Sequence, residues 1–323
     1  MMIHLLLLPG TLSAALLLAT VSAAPAAARP LDDRDVNVPE AGVVLHERDG
    51  DPWRVTALSK EVSPSHRAAY LRSADGISFR KKKGYDQLVP APKGGKVAGV
   101  PYSSPGAFDS VVVFDDKGKA KRIRTVRKPL STAYPAWTRD GRKLVLSIRK
   151  DGITTVGFVI VDPASGTSKA VTVRGIDQHA AFQWTPDGRY LAANAWDQEW
   201  NVRVIRQDGR THRTLRKVGI MHGADAFSPS GKRFLTLCLS VEASNFCVWD
   251  FTSGKLAKRV NDESRAWTIG WWDDQHLATV VRDENDDARA VVTDLNGGIT
   301  RVLATFSAKA GRERVDLVYT PNR

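Results

Sequence analysis

Apolar and polar positions along this chain fall into short runs that return in a fixed order. Residues 179–194 read HAAFQWTPDGRYLAAN: an apolar run ending at Trp184, a turn at Asp187-Gly188, then a second apolar run. AYPAWTRDGRKLVLSI before it and ADAFSPSGKRFLTLC after it have the same layout. The anchors Trp137, Trp184 and Phe227 are 47 and 43 residues apart. Trp272, in TIGWWDDQHLATVV, extends the series 45 residues further, with a shortened turn. Stepping back 47 from Trp137 reaches Pro90, where the aromatic is lost but Gly94, Lys96 and Val97 still match Gly141, Lys143 and Leu144.

A second landmark follows each anchor. GFVIVDPASGTSKAVTV places Asp162 25 residues after Trp137, and SVVVFDDKGKAKRIRTV places Asp115 25 after Pro90. Asp250 and Asp294 follow their anchors by 23 and 22 residues, and NVRVIRQDGRTHRTL fills this place after Trp184. Two apolar runs joined by a short Gly-containing turn read as a hairpin. Each repeat therefore predicts four strands, rich in Val, Ile, Leu, Thr and Trp, with no helical period competing. Four strands per repeat of about 45 residues predict an all-β β-propeller of six antiparallel blades, with seven as the alternative. Solenoids and sandwiches fit less well, because neither needs this many strands per period. The start is less regular. GVVLHERDGDPWRVTAL reads as the outer hairpin of a blade, and the Ser63-Pro64 phrase lies too close before Pro90 for the period. The alternating C-terminal ERVDLVYTPNR is suited to completing the N-terminal blade and closing the ring.

WTRDGRKL, WTPDGRYL and FSPSGKRF resemble the Trp-Ser-Pro-Asp-Gly-Arg-Lys-Leu signature of TolB-type, WD40-like propeller repeats. Three clear copies and two weak ones cover most of residues 86–306. The resemblance implies the propeller fold. It is poor for function, since such propellers include periplasmic translocation factors and the propeller halves of prolyl-oligopeptidase-type peptidases. Repeat-like sequence begins near Gly42, which leaves no room for the amino-terminal domain of periplasmic TolB factors. True WD40 repeats also carry Gly-His and Trp-Asp in every copy, and only Trp249-Asp250 matches that pattern in place.

The first 28 residues stand apart from this pattern. They contain no Asp, Glu, Lys or Arg and pass from apolar to small residues, as a secretory signal peptide does. Cleavage after Ala23 or Ala28 fits, and Pro9 and Gly10 interrupt the run too early for a membrane anchor. The expected organisation is a signal peptide at 1–28, a linker at 29–40 and one propeller at 41–320, secreted or extracytoplasmic and monomeric. No later segment approaches 18 apolar residues, so no transmembrane segment is expected in the mature chain.

Charge and cysteine change the picture in two ways. The chain carries a net charge of +12, concentrated in FRKKKG (79–84) and KGKAKRIRTVRK (117–128). In an exported protein this favours an anionic wall polymer or lipid head group over nucleic acid, or serves as solvated strand surface. Cys238 and Cys247 flank LSVEASNF and are expected to form a disulfide across a hairpin if both point to one face.

Candidate chemistry is sparse. Gly-x-Ser-x-Gly, a P-loop, a dinucleotide fingerprint and His-Glu-x-x-His are all missing from the sequence. Propeller ligands meet the loops entering strand one and joining strands two and three. His179 and His222 lie on entering loops, each five residues before its anchor, with Asp177 and Asp225 close enough in sequence to orient them or share a ligand. Two histidines without a third ligand are a weak metal signal, so no cofactor is expected, a metal ion remaining the candidate. Asp283, Glu284, Asp286 and Asp287 could offer oxygens to Ca²⁺ but lack EF-hand spacing. Trp196 and Trp200, in AWDQEW, could stack on a sugar or clasp a peptide, or pack against the next blade. The leading expectation is an exported, non-catalytic propeller that binds a protein or anionic envelope partner through its loops. The alternative is a polysaccharide lyase or hydrolase using the two histidines.

Overall fold

The computed structural model describes residues 33–63, 66–240, 243–260, 267–285, 287–312 and 315–322; the proposed signal peptide lies outside them. Apolar runs and their turns build six antiparallel sheets arranged as propeller blades, which settles the count at six. Blade 3 shows the pattern: strands Ser131–Trp137, Leu144–Lys150, Thr154–Asp162 and Thr167–Thr172 pair in chain order. Blade 2 (Tyr85 to Arg127), blade 4 (Gln183 to Leu215) and blade 5 (Ile220 to Val260) repeat it. The middle strands read as unbroken apolar runs because both of their faces are covered. Leu144, Leu146 and Ile148 pack with Val111 and Val113 of blade 2, while Val145 joins Phe182, Trp184 and Leu191 of blade 4. Alternate side chains thus serve opposite neighbours, and no blade buries its surface alone.

The repeated phrase has a local cause. In blade 4, Thr185 N donates to Tyr190 O (2.9 Å), Tyr190 N to Thr185 Oγ1 (3.1 Å) and Gly188 N to Thr185 O (2.8 Å). Thr185 Oγ1 donates to Asp187 Oδ1 (2.6 Å), which also accepts the Arg189 amide. Thr138 and Asp140 build the same network in blade 3, and Ser228 and Ser230 build it in blade 5. Within these three turns only the glycines, Gly141, Gly188 and Gly231, take positive φ. The aspartates serve as acceptors for the loop rather than as left-handed turn residues.

The anchors join blades by hydrogen bonds as well as by packing. The indole N–H of Trp137 donates to Val89 O (2.8 Å) and that of Trp184 to Ala136 O (3.1 Å), each acceptor standing one residue before the preceding anchor. Trp271, not Trp272, continues this pattern by donating to Ala226 O (3.0 Å) and pairing with Leu277. The shortened turn moved the sequence register by one residue. The Phe227 side chain has no N–H to donate. At that seam the Gln183 side chain donates to Gly223 O (2.8 Å) and accepts from Ala226 N (2.9 Å).

Ring closure uses both ends of the described chain. The C-terminal strand Val315–Pro321 pairs with Trp53–Ser63 as the first strand of blade 1, which His66–Arg72 and Phe79–Lys81 complete. This is the closure expected of ERVDLVYTPNR. GVVLHERDGDPWRVTAL, by contrast, is not one hairpin. Val43–Arg48 pairs with Ile299–Phe306 at the outer edge of blade 6, whereas Trp53–Ser63 belongs to blade 1. Asp33–Val38, assigned to a linker by sequence, adds a further strand beside Val43–Arg48. Ser63 pairs with His66 where the second and third strands of blade 1 meet, so the Ser63-Pro64 phrase is no copy of the anchor turn; Pro64 itself lies outside the described residues.

Candidate functional site

The chain order of the strands puts the entering loops and the two–three loops on one face and the two tight turns of each blade on the other. His179 stands on the loop entering blade 4. Its backbone N–H donates to Asp177 Oδ1 (2.8 Å) and its Nε2 lies 3.1 Å from Gln178 Nε2, with the ring exposed. Thr155 of blade 3 fixes this loop, donating from its amide to Gln178 O (2.7 Å) and from Oγ1 to Ala180 O (2.8 Å). Asp177 therefore shapes the loop and leaves the imidazole unoriented.

His222 is placed differently. It follows the short strand Ile220–Met221, which Asn194 of blade 4 ties in by accepting from Met221 N (2.8 Å). The ring lies 6.0 Å from the Phe246 ring, and its Nδ1 is buried with no partner among the described residues. Burial holds its pKa below the ordinary value, so the ring is neutral at neutral pH.

Asp225 goes toward the turn end of the channel, two residues before Phe227. Arg139, from the anchor turn of blade 3, reaches it past blade 4. Its Nη2 donates to Asp225 Oδ2 (3.1 Å), Phe227 O (2.9 Å) and Ser228 O (2.8 Å), and its Nη1 to Pro229 O (2.8 Å). Surrounding protein pushes the Asp225 carboxyl up against the opposing pull of Arg139, although 47% of the side chain still meets solvent in the channel. No hydrogen bond or ion pair among the described residues links the two histidines to each other or their rings to Asp177 or Asp225. Nor do those residues group three His, Cys, Asp or Glu side chains as a metal site. In the acidic loop, Asp283 Oδ1 accepts the amides of Asn285 and Asp287 (both 3.0 Å), and Asp286 lies outside the described residues.

Trp196 and Trp200 do come together. Their rings meet edge to face at 5.1 Å across the two–three loop of blade 4, and Trp196 is 54% exposed. They line a cleft of about 370 Å³ between blades 4 and 5. Its other wall carries Cys238 and Cys247, Trp249 and Arg259. The two cysteines form the expected disulfide, with Cα atoms 5.4 Å apart on neighbouring strands. Trp249 is turned by its indole N–H, which donates to Thr236 Oγ1 (2.8 Å). Lys217 and Glu199 close one end with a 2.7 Å ion pair. An aromatic lining with a charged edge suits a flat, partly apolar ligand group bearing polar substituents. Lys217, Trp249 and Arg259 were not singled out from sequence as binding residues. They lie on three different segments, and the only hint was the proximity of the cysteine hairpin to one of them.

No protein-family model and no curated protein matches the sequence. Solved structures match by fold. The β-propeller domain of the trilobed protease from Pyrococcus furiosus, described as having an open velcro topology, aligns at TM-score 0.53 and 15% identity, over 81% of this chain and 82% of that one. A chain of a nidogen/laminin complex aligns at 0.52 and 11%, over 81% and 98%. TolB from Acinetobacter baumannii aligns at 0.47 and 17%, over 79% and 70%. The chain spans 65% of the length of the Kuenenia stuttgartiensis hydrazine synthase chain that it also matches. At these identities the likeness establishes a propeller and nothing narrower.

Proposed function

We propose that this protein is an extracytoplasmic binding propeller that holds an envelope partner, a protein or a wall polymer, in the cleft between blades 4 and 5 and carries out no chemistry on it. The observation that supports this reading is the cleft itself. Trp196, half of whose surface faces water, stands opposite Trp249 and a disulfide-fixed hairpin on the loop-bearing side. A rigid blade seam presenting indoles costs little conformational entropy on binding. The disulfide accords with export through the charge-free N-terminal segment.

The test is capture from an envelope fraction of the producing cell, comparing wild type with Trp196→Ala/Trp200→Ala. The wild type should retain a partner that the double variant loses, with a partner-dependent change in tryptophan fluorescence. Equal capture by both would move recognition elsewhere. A stoichiometric metal, lost from His179→Ala/His222→Ala, would restore the enzyme reading.

A further inference from the structure

The two basic segments of the sequence lie mostly on strands, with Lys82, Lys83 and Lys128 in the connections that enter blades 2 and 3. The strands are the outer ones of neighbouring blades: Phe79–Lys81 in blade 1, and Ala120–Arg127 in blade 2. Register shows which way each side chain points. Arg80 is opposite Leu71, whose side chain packs in the cluster shared by blades 1 and 2. Arg122 and Arg124 are opposite Val112 and Ser110, and Val112 belongs to that same cluster. Residues directly opposite in an antiparallel pair share a face, so Arg80 on one wall and Arg122 and Arg124 on the other address a single inter-blade groove. Lys82 crosses it, with Nζ 4.6 Å from the centre of the Phe114 ring in blade 2.

Three of these four cations are held in place by neutral groups, while Arg80 feels the charge of the exposed Asp75 carboxylate without pairing with it. Arg122 Nη1 donates to Ser110 Oγ (2.7 Å), and the Arg124 guanidinium lies over the Phe108 ring at 5.5 Å. Aromatic faces and hydroxyls position a cation without neutralising it. Among the described residues none of the four is in an ion pair, whereas Arg72, Arg139 and Arg301 elsewhere all have carboxylate partners. Exposed Lys81, Lys83, Lys117, Lys119, Lys121 and Arg127 extend the positive field along both strands. Solvated strand decoration would not require both walls of one groove to carry aligned charge outside the ion pairs of the described residues.

We propose that the groove between the outer strands of blades 1 and 2 is a docking site for a linear polyanion. Alternate residues on one strand face are about 6.8 Å apart, so Arg122 and Arg124 form a row that successive anionic groups of an extended chain can follow. Arg80 and Lys82 face that row from the opposite wall. A bilayer would present a plane to what is a groove, and the site is distinct from the aromatic cleft three blades further round the ring.

The experiment is titration with long-chain polyphosphate at several salt concentrations. It compares wild type, Arg80→Gln/Lys82→Gln/Arg122→Gln/Arg124→Gln, and a control of equal charge loss, Lys150→Gln/Lys169→Gln/Lys232→Gln/Lys255→Gln. Circular dichroism and unfolding curves confirm that both variants fold. Wild type should bind with a steep salt dependence, and the groove variant should lose about 3 in the log–log salt slope, at about 0.7–0.9 per lost contact. The control should keep most of the slope, and Trp196→Ala/Trp200→Ala should keep all of it. Equal loss in groove variant and control would reduce the effect to net charge and overturn the proposal. So would groove-dependent binding to phosphatidylglycerol vesicles or duplex DNA without binding to polyphosphate.

Discussion

The two histidines show how one sequence offset leads to different physical states. His179 is an exposed loop residue, while His222 is packed against Phe246 and its buried Nδ1 has no partner among the described residues. Burial depresses the folded pKa of His222, so protonation favours the unfolded chain. Above the unfolded value of about 6.5 neither state is protonated and the ring costs nothing. As pH falls below it, the unfolded state takes up a proton that the folded state does not, and stability declines until the depressed folded pKa is reached. Urea unfolding at pH 7.5 and 5.5 should therefore show a smaller pH-dependent loss in His222→Gln than in wild type. An unchanged pH difference in His222→Gln would mean that water reaches Nδ1.

At the scale of strands and turns, the inter-blade hydrogen bonds decide what a substitution does. Gln183 replaces the indole bond that Phe227 cannot make. Gln183→Leu would leave Ala226 N–H and Gly223 C=O unpartnered at a buried seam, at a cost of about 2–4 kcal/mol. Equilibrium unfolding measures it, and a loss under about 0.5 kcal/mol would show that the amide is dispensable. The Cys238–Cys247 bond closes a short loop, so Cys238→Ser/Cys247→Ser should cost about 2–3 kcal/mol on chain-entropy grounds. Because the same cysteines line the cleft, that double variant should also weaken partner capture.

These elements show what was legible in the chain. Blades 3 to 5 could be read because anchor, Ser/Thr-x-Asp/Ser-Gly turn and second hairpin are local and repeat, and blade 2 through Gly94, Lys96, Val97 and its second hairpin alone. Trp271 was displaced by one residue because its turn is a residue shorter, and nothing local reveals which of two adjacent tryptophans makes the bond. Asp225 looked like a partner for His222 through closeness in sequence. Its true partner, Arg139, is 86 residues away and belongs to a turn that sequence marks only as structural. The groove charges were visible as composition, but only strand register aligns them on facing walls.

For the whole molecule the critical place is the seam between blades 6 and 1, where local hairpin logic fails. Asp49 and Gly50 look like a turn within one sheet, but the chain passes there from the outer edge of blade 6 to blade 1. Two buried ion pairs hold this crossing. Arg301 of blade 6 grips Asp51 with both Nη atoms, and Arg72 of blade 1 grips Glu47 of the added hairpin. The Trp53 indole donates across the same seam to Trp272 O (2.6 Å). Breaking a buried pair by removing one partner costs more than replacing both, because the remaining charge is left desolvated. Asp51→Ala should therefore destabilise by about 3–5 kcal/mol, and Asp51→Ala/Arg301→Met should recover a large part of that. If the seam is where the ring opens, hydrogen exchange in Asp51→Ala should speed up together in residues 43–45, 55–59, 304–306 and 315–318, while blades 3 and 4 keep their protection. Faster exchange confined to residues 48–51 would make the pair a local clasp. A uniform rise around the ring would mean that the propeller opens as a single unit, with closure no weaker than any other blade junction.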